Sequence, residues 1–201
     1  MPAPTGINHN IAAVMRGVKA EFWISPTINA DGTITLQPDG SLLNSGVTPP
    51  HPNARNVGYS QDGFMLSRTP TFEDLPVDQE SEPIGDAYLT QDVHLTTKIL
   101  QVRDYDNLAA LAPGLSAQAG TGWKGISDSA VQSYILIPVA VVSPLPNDAT
   151  KFQVIIVYAA KNVGKLDLTL AKKWNVTALD MVARPAGRTD GKTFMVYETT
   201  A

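Results

Sequence analysis

The chain has 201 residues, 43% of them hydrophobic and 17% charged, which excludes wholesale disorder and allows a domain that buries about 70% of its unfolded surface. Cysteine is absent, so disulfides, thiolate nucleophiles and cysteine-held metal or iron–sulfur centres are excluded. The net charge of −4 argues against a general nucleic-acid binder, because such proteins gain affinity by neutralising phosphates with Lys and Arg.

The first strand is predicted at residues 18–24, where Val18, Ala20, Phe22 and Ile24 alternate with Lys19, Glu21 and Trp23. Asp31-Gly32 and Asp39-Gly40 flank a short β-segment at 33–36. Residues 38–56, with Pro49-Pro50-His51-Pro52 at their centre, read as a long exposed loop or arm. Gly63 opens a strand over 64–69 that is expected to end near Pro70. Between 73 and 92 lie Glu73, Asp74, Asp78, Glu80, Glu82, Asp86 and Asp92, with no Lys or Arg among them. That concentrated acidic patch leads into the clearest two-residue period in the chain. Over 86–102, Ala87, Leu89, Val93, Leu95 and Ile99 fall on one face, and Asp86, Tyr88, Thr90, Asp92, His94, Thr96 and Lys98 on the other. A strand of that length, at roughly 3.3 Å per residue, outruns a small sandwich. It must bend at a bulge or pair with another subunit.

Asp104 is placed to cap a short helix over 105–112, which Pro113-Gly114 stops. Residues 114–127 read as a loop. The apolar runs 134–142 and 152–160 suit central strands covered on both faces, joined through residues 143–148. The first of those runs is half a membrane span and contains Pro138, and the N-terminus lacks a basic segment leading into an apolar core, so neither a membrane anchor nor a secretion signal is expected. Leu166, Leu168 and Leu170 mark a further strand, and 175–183 and 192–198 mark the last two. Eight or nine strands and one helix predict a mainly β protein, a sandwich or barrel with one short flanking helix, in a single domain spanning 1–201. Charge is uneven along it. Residues 1–150 carry fifteen of the nineteen acidic side chains but seven of the fifteen basic ones, a pattern that suits copies meeting acidic face to basic face and equally suits two unrelated solvated surfaces.

Chemistry is hard to find in this sequence. His9, His51 and His94 are far apart and share no metal-binding spacing, and surface or structural roles are favoured for them. The segment Gly120-Thr121-Gly122-Trp123-Lys124-Gly125 lacks the residue order of a phosphate-binding loop. Asp78, Glu80 and Glu82 have no calcium-loop spacing, and no nucleophile elbow occurs. No catalytic residue, metal or cofactor is expected.

Gly58-Tyr59, Gly63-Phe64, Phe72-Glu73-Asp74-Leu75-Pro76-Val77-Asp78-Gln79, Pro83-Ile84 and the long strand closing into Asp106-Asn107-Leu108-Ala109-Ala110-Leu111 follow an order that resembles the tail tube proteins of long-tailed bacteriophages. The match covers about residues 58–114. The resemblance implies a β-sandwich subunit with a flanking helix that assembles as stacked, hexameric rings, a structural protein of the virion made in the host cytoplasm. Long hairpins of the copies close an inner barrel, and the genome passes through it without specific binding. The partners implied are the chain itself and other tail proteins. An acidic lumen built from the 73–92 patch would repel phosphates, and Tyr88, Thr90, His94, Thr96 and Lys98 would lie on the inter-subunit strand. Two other readings stand beside it. One is a carbohydrate- or receptor-binding sandwich using Trp23, Trp123, Trp174 or Tyr59 as stacking platforms; the other is a different virion component, such as a capsid decoration or tail-completion protein.

Overall fold

A computed structural model describes residues 20–38, 40–42, 51–74, 86–100, 105–112, 114–128, 136–145, 148–164, 176–185 and 188–199. Among these are nine strands and one helix: β1 (Glu21–Ile24), β2 (Arg55–Asp74), β3 (Asp86–Leu100), α1 (Tyr105–Leu111), β4 (Leu115–Gly120), β5 (Trp123–Asp128), β6 (Ile137–Leu145), β7 (Asp148–Asn162), β8 (Val176–Ala183) and β9 (Phe194–Glu198). Strands β6, β1, β2, β3, β8 and β7 pair in that order, and β7 returns to β6. The result is a closed six-stranded antiparallel barrel, with β9 added on β7 and β4–β5 as a separate hairpin. Among the described residues no helix is long and apolar enough to cross a membrane.

Alternation explains the two apolar layers. Phe22 and Ile24 of β1, Val93, Leu95 and Ile99 of β3, Val139 and Val141 of β6, Val157 of β7 and Leu179 and Met181 of β8 form the inner cluster, which α1 joins through Leu108 and Leu111. The intervening residues Trp23, Ala140, Val142, Val154, Ile156 and Tyr158 point the other way and would meet water. They are covered instead by Ile28, Ile34, Leu36 and Leu42 of the segment after β1 and by Met195 and Tyr197 of β9. This second layer is why β6 and β7 read as continuous apolar runs instead of alternating ones.

The covering segment is held by specific bonds. His51, 1% exposed, accepts the Thr27 N–H at Nδ1 (3.0 Å) and donates from Nε2 to the Thr35 carbonyl (2.6 Å), which selects the Nε2–H tautomer. Tyr158 donates to the Gly32 carbonyl at 3.1 Å, and the Arg188 guanidinium lies 4.6 Å above the Tyr158 ring. Burial pushes the Tyr158 phenol up. Gly32 sits at φ +92°, and a Cβ there would be 2.5 Å from the Tyr158 hydroxyl, so glycine alone allows this close approach.

Several sequence expectations change. Residues 33–36 are not a strand, because the Ile34 amide and carbonyl are taken by the Tyr197 hydroxyl and the Thr35 carbonyl by His51, leaving no ladder to join. The expected loop at 38–56 is anchored at both ends, with Leu42 and His51 buried and β2 already begun at Arg55; residues 43–50 lie outside the described residues. Pro70 does not end its strand. It pairs with Gln91 while the opposite edge of β2 carries no described strand at that height, so its missing N–H breaks no ladder bond there. Residues 115–128 form the β4–β5 hairpin and not a loop, with Thr121-Gly122 as the turn and Gly122 at φ +82°. The long strand and the short helix stand as expected, at β3 and α1; the expected cap Asp104 and the strand around Leu166, Leu168 and Leu170 lie outside the described residues.

Candidate functional site

The features that set this barrel apart are the unequal lengths of its strands. β2 and β3 pair from Tyr59↔Leu100 to Asp74↔Asp86. Their outer neighbours are much shorter: β1 covers β2 only over Arg55, Asn56, Gly58 and Tyr59, and β8 covers β3 only from His94 to Leu100. Residues 68–74 and 86–92 therefore have only each other, and among the described strands both outer edges of this ribbon are unpaired. Seven residues at roughly 3.4 Å each carry it about 24 Å past the last described strand that supports it. Arg68, Thr69, Pro70, Thr71 and Phe72 are all exposed, so along this stretch of β2 neither face is buried by its own barrel. A two-stranded ribbon is marginal in water by itself, and two open edges invite further strands.

The ribbon is stiffened where it leaves the barrel. Register shifts in β2 between Ser60 and Phe64, a bulge in which the Gly63 carbonyl accepts from Ser60 Oγ (2.6 Å) and Thr97 Oγ1 (2.9 Å). Those two hydroxyls are themselves 2.9 Å apart, and Ser60 is fully buried. Both hydroxyls are engaged at the bulge, which fixes where the extra residues sit. Farther out, Arg68 Nε donates to Gln91 Oε1 at 2.5 Å across the two strands.

The expected acidic residues fall on this ribbon only in part. Glu73 and Asp74 end β2, Asp86 begins β3 directly opposite Asp74, and exposed Asp92 lies opposite Thr69. Asp78, Glu80 and Glu82 lie outside the described residues. With Arg68 the only base in 68–74 and 86–92, the ribbon carries four acids and one cation. Of the residues expected on the inter-subunit strand, Tyr88 and Thr90 hold register positions opposite Phe72 and Thr71. His94, Thr96 and Lys98 lie nearer the barrel on its outer surface. There His94 Nδ1 is 2.8 Å from Asp180 Oδ1, each side chain 36% exposed.

Beside that pair, β2, β3 and β8 border an open groove of about 350 Å³ whose lining includes Gly63, Met65, Thr96, Lys98 and Ala178. Sequence reading missed it, and missed Met65 and Phe72 as exposed apolar side chains, at 61% and 56%. The signal for Phe72 was within reach, since period-two alternation does not stop at Pro70. Of the aromatic platforms, Trp23 is withdrawn, because it is 1% exposed in the second apolar layer. Trp123 and Tyr59 are exposed but lie in separate sheets, and Trp174 lies outside the described residues. His51 is a buried crosslink, and His9 lies outside the described residues. Residues 120–125 form a hairpin tip with no helix after it, which rules out phosphate-loop geometry. No protein-family model matches the sequence, and no curated protein matches it.

Proposed function

We propose that the chain is a structural subunit that polymerises with copies of itself, the ring-forming tube protein of a long-tailed phage, and that its work is done by interfaces and surface charge with no catalytic residue. The observation that carries this reading is the β2–β3 ribbon, exposed along residues 68–72 and paired at neither outer edge with any described strand. Its edges find partners most directly on the same ribbon of a neighbouring copy, since each copy offers one β2 edge and one β3 edge. Such a contact joins different surfaces of successive subunits, so it generates a ring when the rotation closes. Ribbons joined in this way form a cylinder with no free edges. The four ribbon acids then line or rim the bore of a virion tail tube, where negative charge keeps DNA phosphates from adhering over the ~8–10 Å reach of electrostatics at physiological salt.

Negative-stain electron microscopy of the concentrated protein tests the class: rings or tubes of constant bore are expected, and a particle monomeric at every concentration overturns the proposal. Changing Asp78, Glu80 and Glu82 together to Lys tests the charge. Impaired stacking or genome passage with unchanged folding is expected, and normal assembly and infectivity would remove the acidic patch from the mechanism.

A further inference from the structure

At the tip of the β4–β5 hairpin every residue from 118 to 124 is exposed, and Trp123 is 57% exposed. Its indole is nevertheless held in place. A Cβ on Gly120 would lie 2.5 Å from Trp123 Nε1, and one on Gly125 would lie 3.6 Å from the far edge of the same ring. The ring is thus laid flat on two glycines, one face on backbone and the other towards solvent. An exposed aromatic in a fixed pose has already lost the rotamer freedom that binding would otherwise take from it. Interfaces are enriched in tryptophan at their energetic centres.

The same chain carries a receptor of matching size. The groove of about 350 Å³ over β2, β3 and β8 exists because Gly63 and Ala178 contribute little or no side chain between the longer Met65 and Lys98. Trp123 does not fill its own chain's groove, since its indole remains exposed. Charge agrees with the fit. Exposed Lys124 neighbours the knob, and Asp180, opposite Thr96 on β8, stands at the groove edge with 36% of its side chain exposed.

We infer that Trp123 of one copy seats in the β2–β3–β8 groove of a second copy, with Lys124 meeting Asp180. This rests on the polymeric reading above and adds to it a second contact, away from the ribbon edges. Knob and groove are different surfaces, so the contact is head-to-tail and propagates. Ligation of the groove also braces the strands from which the ribbon projects.

Because the chain has no cysteine, disulfide trapping gives a clean test. Lys124→Cys and Ala178→Cys proteins, mixed at polymerising concentration and oxidised, are expected to give a crosslinked dimer that neither gives alone. Trp123→Ala is expected to keep a cooperative unfolding transition, its midpoint lowered only by the packing lost on the two glycines, while raising the polymerisation threshold about thirtyfold or more. Wild-type polymer without the mixed crosslink, or Trp123→Ala polymer at the wild-type threshold, overturns the docking and leaves the ribbon reading standing; the indole would then belong to a partner outside the homopolymer. Absence of polymer from the wild-type protein overturns both.

Discussion

Replacing Phe72 by threonine separates assembly from folding, because this side chain lies on the ribbon and is 56% exposed in the single subunit. Threonine, being β-branched, shares the preference of aromatic phenylalanine for an extended backbone, so the strand itself is little affected. A phenylalanine presents about 200 Å², so the exposed share is about 110 Å². If a neighbouring ribbon covers that area, at about 25 cal/mol/Å² the contact gains about 3 kcal/mol, or about a hundredfold in association constant. The monomer should lose about 1 kcal/mol or less, the scale of a cross-strand pair, since Phe72 stands opposite Tyr88 and also interacts within its own subunit. Urea unfolding at low concentration reads the monomer, and light scattering against concentration reads assembly. The expected result is a small fall in the urea midpoint with a polymerisation threshold raised about a hundredfold. An unchanged threshold refutes the ribbon as the interface, and a large loss of monomer stability shows instead that Phe72 belongs to the subunit's own core.

His51→Ala leaves the Thr27 amide and the Thr35 carbonyl without their partner; because both residues are exposed and water can reach them, the expected loss is about 2–3 kcal/mol, read by urea unfolding together with faster hydrogen exchange at Thr27. Gly32→Ala combines a left-handed backbone with a steric conflict at the Tyr158 hydroxyl, whereas Gly122→Ala meets only the first of these. The former should cost at least about 1 kcal/mol more than the latter, whose own cost is about 1–2 kcal/mol; equal thermal shifts would contradict the packing at Gly32. The hydrogen bond from Arg188, with help from Lys192, holds the Asp190 carboxyl far below the usual carboxylate range. The folded group therefore titrates below its unfolded value of about 3.9, so the stabilisation is complete above that pH and is lost as pH falls through the folded value. Melting temperatures of Asp190→Asn should decline less between pH 4 and pH 2 than those of the wild type, with a residual decline from Asp31 and Asp148, which are lowered by hydrogen bonds from Thr33 and Thr150. Parallel curves would show that the pair contributes nothing to acid stability.

Much of the barrel was legible because period-two patterning is a local property. The alternation from Val93 to Ile99, the double-faced apolar runs of β6 and β7, and the leucines of α1 each announce their burial in consecutive residues. Misreadings arose where a distant group decides. Residues 33–36 have strand-like composition, but Tyr197 and His51 claim their polar atoms. Pro70 reads as a terminator until the far edge of β2 is seen to carry no described strand at that height. The Gly120–Gly125 stretch resembles a loop because small residues carry no burial pattern, yet its glycines make room for Trp123.

The sequence by itself determined the class of the protein, mainly β with one short helix, and the extent of β3, because side-chain alternation records which face of each strand is dry; β2, the longest described strand, runs well beyond the 64–69 that its residues suggest. Only the tertiary structure decided that β7 returns to β6 to close the barrel, that a segment without strands seals its outer wall, and that β1 and β8 stop short of the ribbon. Those facts depend on which strand stands beside which and for how many residues, and pairing between residues far apart in the chain leaves no periodic mark on either partner.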